Sequence, residues 1–164
     1  MSEAAARYIK PKSATDFFNM AVARLTRMGI SVYGSRVLYV RGRTSGEWRT
    51  TPVNPLTLKD GSRYLVAPRG TTQWVRNLRA DDGRGELHVG RRSEPFQATE
   101  VADDDKPVIL REYLRRWKWE VGVFFDGVDA KAPAEKLREI APGYPVFRIE
   151  PAGPGTPAAP AKQA

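Results

Sequence analysis

Two stretches concentrate residues able to hold an anion. The first is GRTSGEWRTTP, residues 42–52, where Arg43 and Arg49 flank a glycine-punctuated turn that also carries Thr44, Ser45 and Trp48. The second is APRGTTQW, residues 67–74, with Arg69, Gly70 and two threonine hydroxyls ahead of Trp74. A guanidinium presents a rigid fork of donors that matches phosphate and carboxylate. Glycines let backbone come close to a ligand, and successive amides can form an anion nest. The second stretch also opens a helix, whose first amides favour negative charge. Brought to one end of a barrel, the two loops would offer arginine forks, a helix N-terminus and the flat face of Trp74. That set suits a phosphate joined to a flat heterocycle. The same residues also fit two ordinary Arg-bearing surface loops, and the residues alone leave both readings open.

Other chemistries find little support. Cysteine is absent, which excludes disulfides, thiolate chemistry and Cys-ligated metals. A single histidine, His88, argues against a His-rich metal site or a Ser-His-Asp arrangement; in an alternating strand it reads as structural or surface. The carboxylate pairs Asp81–Asp82 and Asp103–Asp105 fall in a loop and at a helix start, where acids are expected. Neither a phosphate loop nor a dinucleotide fingerprint occurs. A reaction, if there is one, would be carried by a bound cofactor.

The charge balance agrees with an anionic partner. The net charge is +8, with 19 Arg against 8 Lys. Residues 30–100 hold 12 of these cations and 7 acids, an excess of 12 − 7 = +5. Nucleic acid, an anionic membrane surface and a phosphorylated cofactor would each answer such a surface. No nucleic-acid-binding motif is present, and no nucleic-acid partner is expected. No apolar run reaches the roughly 20 residues of a membrane-spanning helix, and MSEAAARYIKPKS lacks a signal-peptide core. A cytoplasmic location is expected. The first helix places Arg24 and Arg27 beside Phe17, Phe18 and Leu25, so peripheral membrane contact there is an alternative to packing on the barrel.

These loops need a frame. In 164 residues, 41% hydrophobic and 28% charged, one domain with one real core fits. Residues 1–14 read as a flexible arm and residues 151–164, rich in Pro, Ala and Gly, as a disordered tail. A helix is expected over residues 15–28, from apolar spacing at Phe17, Ala21, Leu25 and Met28. RVLYVRG, RTTPVNPLTL, RYLVAP, ELHVGRR, EPFQATEV and YPVFRIE read as about six antiparallel strands. The prolines of the second suggest an edge or a bulge. Helices are expected at WVRNLRA, DDKPVILREYLRRWKWEV and APAEKLREIAPG. The pattern is α+β, best satisfied by a small antiparallel barrel with helices on its outside over residues 15–150.

GRTSGEWRTTPV, then YLVAPRGTTQWVRNLRA, then GELHVGRR, in this order and spacing, resemble the deazaflavin (F420)-dependent nitroreductase family of actinobacteria. The resemblance covers roughly residues 15–150. It implies a split β-barrel of the FMN-binding split-barrel type, and it implies coenzyme F420, with FMN the alternative. By resemblance, Arg43, Thr44, Ser45 and Arg49 match positions that grip the coenzyme's phosphate and acidic tail. Pro52 and Asn54 match positions lining the deazaflavin. Ala67, Pro68, Arg69 and Gly70 match the second loop, where many relatives carry Lys in place of Arg69. Gln73, Trp74 and Asn77 match the helix start beside the cofactor. No catalytic residue is fixed; Tyr33 and Tyr113 are the candidate proton donors. Relatives with tyrosines on the late helix are departed from here by Trp117, Trp119, Phe124 and Phe125, and helical spacing makes most of these core. The implied activity is hydride transfer to an electron-poor hydrophobic acceptor such as a quinone, nitro compound or enone. A non-enzymatic binding protein for the cofactor or another anion is the rival from a different class. A monomer and a homodimer are both compatible with the sequence.

Overall fold

The computed structural model describes residues 36–153. The arm, the helix expected over 15–28 with Tyr33 beyond it, and nearly all of the tail lie outside the described residues. Seven strands form one antiparallel sheet: β1 (Arg36–Arg41), β2 (Trp48–Val53), β3 (Leu56–Thr57), β4 (Arg63–Val66), β5 (Arg84–Val89), β6 (Arg92–Glu100) and β7 (Val146–Pro151). Among the described residues three α-helices join them: α1 (Gln73–Ala80), α2 (Lys106–Val121) and α3 (Ala134–Ile140).

The strand count exceeds the expected six because RTTPVNPLTL divides at residues 54 and 55. Its first part, β2, pairs with β1, and its second part, β3, pairs with β4. The order across the sheet is β2-β1-β5-β6-β7-β4-β3, so one sequence segment supplies both outermost strands. A flat sheet of this width would hold its edges about 29 Å apart, at roughly 4.8 Å per strand. The three peptide links from Val53 to Leu56 reach about 11 Å at most. The sheet therefore curls until its edges nearly meet, which gives the split barrel. Pro52 sits in β2, where an edge position tolerates a residue without an N–H.

Alternation along the strands separates two faces. Leu38, Val40, Leu65, Leu87, Phe96, Phe147 and Ile149 line the inside, joined by Val75 and Leu78 of α1. Tyr64, Val66 and Val146 face outward and are covered by Leu110, Tyr113, Leu114, Trp117 and Leu137 of α2 and α3. The spacing of Leu110, Leu114, Trp117 and Val121 is the buried stripe that holds α2 on the barrel. On the other outward surface, Val37 and Tyr39 are buried beside Trp48.

Candidate functional site

β1 ends and β2 begins at the same end of the barrel where β4 ends and β5 begins. This end, here the upper one, therefore carries both residues 42–47 and residues 67–72. The first loop is tight. Gly42 N–H donates to the Glu47 carbonyl at 2.7 Å, and Gly46 N–H donates to the Gly42 carbonyl at 2.8 Å. A Cβ on Gly42 would lie 2.9 Å from Ser45 Oγ and 3.3 Å from the Glu47 carbonyl, so a side chain there would displace the Ser45 hydroxyl and crowd the turn. Ser45 Oγ accepts from Glu47 N–H at 3.2 Å and from Arg49 Nη2 at 3.5 Å. Thr44 is exposed. Arg49 has one acid within reach, Glu47 at 3.9 Å, and both side chains are largely solvated.

The second loop is anchored by Ala67 N–H donating to the Pro145 carbonyl at 2.9 Å. Gly70 takes a φ of 84°, a left-handed conformation natural to glycine, and its N–H closes a turn onto the Ala67 carbonyl. Thr72 caps α1 through its extended backbone without a side-chain cap bond. Its Oγ1 is buried and has no hydrogen-bond partner. Pro68 and Arg69 are half-buried and Gln73 is exposed. Trp74 tilts against Phe147 with ring centres 5.9 Å apart, so part of its face is committed to the interior.

Asn77 joins the two loops. Its side chain is buried, and its Oδ1 accepts both the Arg43 backbone N–H at 3.2 Å and Arg43 Nη1 at 2.8 Å. The structure thus joins the loop that carries Arg43, Ser45 and Arg49 to the helix that Thr72 opens, through the Arg43–Asn77 bonds. Asn77 and Arg43, expected from the resemblance as parallel coenzyme contacts, bond to each other. Thr72 is one of the two threonine hydroxyls read in the second loop, though it matches no position that the resemblance assigns. The signal was present, since a threonine just before a helical run is a standard cap position, and an unused cap hydroxyl is a donor in waiting.

Pairing with β1 distributes β2 between faces. Arg49 and Thr51 lie opposite Val40 and Leu38 on the inward side, whereas Trp48, Thr50 and Pro52 lie opposite Arg41, Tyr39 and Val37 on the outward side. Pro52 and Arg49 therefore occupy opposite faces, and Asn54 follows β2 at the lower end of the barrel. A ligand touching Arg49 and Asn54 would have to extend along β2, roughly 17 Å at 3.3 Å per residue.

The other candidates settle elsewhere. Tyr113 is buried in the outward cluster, 5.1 Å from Trp117 and 6.4 Å from Phe125 by ring centres. Trp117 and Phe125 are core, Phe124 is half-buried against them, and Trp119 is exposed. His88 Nε2 lies 2.8 Å from buried Glu86 Oε2, which also accepts Ser93 Oγ at 2.7 Å, and the imidazole stacks on Tyr39 at 3.9 Å. That is a structural setting. Asp81 pairs with Arg84 and Asp103 with Lys106. A crevice of about 350 Å³, lined by Leu87, Phe96 and Ile149 beside the Arg63–Glu94 pair, opens at the lower end, away from the two loops. Among the described residues no cluster of His, Cys, Asp and Glu could hold a metal ion, and no helix is long and apolar enough to cross a membrane.

The upper end fits an anionic, phosphate-bearing cofactor: one guanidinium held by an amide oxygen, a second on a hydroxyl with a loose, solvated Glu47 contact, a helix N-terminus without a side-chain cap, and an unpaired buried hydroxyl. The sequence matches a family model described as F420H(2)-dependent quinone reductase over residues 15–133. No curated protein matches it. Among solved structures, a protein of unknown function from Agrobacterium tumefaciens is similar with a TM-score of 0.54 and 18% identity, over 91% of this chain and 60% of that one. The chain thus spans less than two thirds of that protein's length. A structure described as a domain-swapped dimer reaches 0.51 at 16% identity, over 84% of this chain and 100% of its own. At such identities the likeness is one of fold. A structure described as an F420-H2 dependent reductase, FDR-A, has a TM-score of 0.49 at 15% identity, over 71% of this chain and 94% of its own.

Proposed function

Because this chain belongs to the F420H(2)-dependent quinone reductase family, we propose that it reduces a quinone or another electron-poor hydrophobic acceptor at the expense of a reduced deazaflavin coenzyme. Nitro compounds and enones fall within the same acceptor chemistry. The coenzyme supplies the hydride when bound; the chain supplies grip, orientation and dryness. Residues 15–150 form the coenzyme-binding domain between an arm and a tail. Arg43, Thr44, Ser45 and Arg49 hold the phosphate and acidic tail. Ala67, Pro68, Arg69 and Gly70, with Thr72, Gln73, Trp74 and Asn77, close the opposite wall. Pro52 and Asn54 line the ring lower along β2, with Pro52, which faces away from Arg49, reached around the outer edge of that strand. The span of β2 suits a molecule with its anionic part at one end and its flat ring at the other. The proton that completes reduction comes from water, Tyr33 or Tyr113; burial of Tyr113 makes water or Tyr33 the simpler source. The enzyme works in the cytoplasm as a monomer or homodimer, with the first helix as a candidate membrane contact.

The observation that carries this reading is the bond set at Asn77, which fixes the first loop against the helix that the second loop opens. The test is titration of the purified protein with oxidised deazaflavin coenzyme, followed by fluorescence, with FMN in a parallel cell at matched salt. Tight deazaflavin binding and weak FMN binding are expected. Preferential FMN binding would transfer the site to the flavin. If neither binds, the arginine loops serve another anion and the enzymatic reading fails.

A further inference from the structure

We infer that Glu47 is the charge-selecting residue of the upper-end site: its carboxylate shares Arg49 with the incoming anion and penalises each further negative charge that the anion brings. Residues 36–59 carry Glu47 as their sole acid, and residues 61–80 carry none. The one carboxylate of both loops therefore stands beside a guanidinium that the proposed function gives to the ligand.

Main chain, and not the ion pair, fixes its place. The Glu47 N–H donates to Ser45 Oγ at 3.2 Å, and the Glu47 carbonyl accepts the Gly42 N–H at 2.7 Å. From that pinned turn the side chain, 76% exposed, brings Oε2 to 3.9 Å from Arg49 Nη2. The same nitrogen donates to Ser45 Oγ at 3.5 Å. So long a contact between solvated groups contributes little to the fold. Its consequence is for the ligand. An anion hydrogen-bonded to Arg49 Nη2 at about 2.9 Å lies at most about 7 Å from the Glu47 carboxylate, since the two separations share one atom. Over that distance in water, one pair of like charges shifts an equilibrium about 3-fold. The penalty grows with ligand charge. A phosphodiester is therefore disfavoured less than a terminal phosphate monoester, which carries close to two charges above pH 7. The inference rests on the anion site of the proposed function and not on its hydride chemistry.

Three flavins that share one ring separate charge from shape: uncharged riboflavin, its singly charged 4′,5′-cyclic phosphate, and FMN, with nearly two charges. The full-length protein and Glu47→Gln are titrated by fluorescence with each, and with oxidised deazaflavin coenzyme, at pH 8 and about 10 mM ionic strength. Relative to wild type, the variant should bind FMN about 5-fold more tightly, the cyclic phosphate about 2-fold and riboflavin equally. The anionic coenzyme should gain at least about 2-fold. At about 150 mM ionic strength the gain for FMN should fall to about 2-fold. Glu47→Asp, which keeps the charge, should stay within about 2-fold of wild type for every ligand, and all three proteins should melt alike. Equal gains for the three flavins, or no gain for any anion, would overturn the inference. So would wild-type protein that binds none of the anions. Graded flavin gains without coenzyme binding would keep the role of Glu47 and sink the deazaflavin reading; coenzyme binding without any gain in the variant would do the reverse.

Discussion

The two ends of the barrel hold their arginines differently. At the lower end Arg63 faces Glu94 at 3.3 Å, and on the flanks Arg79 pairs with Glu100, Arg84 with Asp81 and Arg148 with Glu150. At the upper end Arg43 rests on the amide oxygen of Asn77, and Arg49 on the hydroxyl of Ser45, with the solvated Glu47 carboxylate only loosely in reach at 3.9 Å. A guanidinium neutralised by a carboxylate has its field largely spent on that partner. One positioned by a neutral oxygen keeps its full charge for an incoming anion. Under the proposed function, the contrast separates structural arginines from recruiting ones within a single chain of net charge +8.

The largest expected effect tests the recruiting class directly. Replacing Arg43 and Arg49 together by Ala should weaken coenzyme binding about 100-fold, since each charge-assisted bond is worth about 1.5–3 kcal/mol. The melting midpoint should change little, because neither residue braces the core; fluorescence titration beside thermal melting reads both quantities. Unchanged affinity would erase the distinction. Next comes Asn77→Asp, which turns a recruiting arginine into a paired one. Coenzyme affinity should fall about 10-fold while stability is retained. Asn77→Ala should instead cost about 1–3 kcal/mol of stability, because Arg43 N–H loses its acceptor. If the Asp variant binds as wild type does, the neutral holder is incidental. Arg63→Ala, at the other end, should leave coenzyme affinity intact and lower stability by about 0.2–1 kcal/mol, the range of a partly exposed pair.

The smallest effect concerns the turn between β3 and β4. The Ser62 hydroxyl and then its backbone N–H hold the Asp60 carboxyl below its usual value of 3.8. A carboxylate whose folded pKa is depressed adds stability above that usual value and loses it as pH falls through the lowered one. Acid-unfolding curves of wild type and Asp60→Asn should therefore coincide near pH 7 after a constant offset and converge only below about pH 4. Convergence at higher pH would show that another group governs this end.

Much of this arrangement could be read from residue order. Five strands, β1 and β4 to β7, were each legible from apolar runs or alternation, and the stripe at Leu110, Leu114, Trp117 and Val121 identified the buried face of α2. RTTPVNPLTL was recognisable as extended and proline-limited, but its change of partner at residues 54–55 was not, because pairing partners are set by the curl of the whole sheet. The two arginine loops could be named from composition, whereas their junction through Asn77 spans 34 positions and leaves no local trace. Glu86 could have been linked to His88 by their i, i+2 spacing on one strand face; the missing idea was that the outward face there is buried. Exposure of Trp119 escaped because the tryptophan beside it, Trp117, is core, and hydrophobicity alone treats the two alike.

β7 has a consequence for synthesis. It is the last of the described strands in chain order, yet it lies between β6 and β4 in the sheet. Until it is made, β2-β1-β5-β6 and β4-β3 are separate ribbons tethered at residues 54 and 55, each with a bare edge that would accept any passing strand. The barrel is thus completed by insertion and not by accretion, and a ribosome that stalls before residue 146 releases two sticky half-sheets in place of a slightly shortened protein.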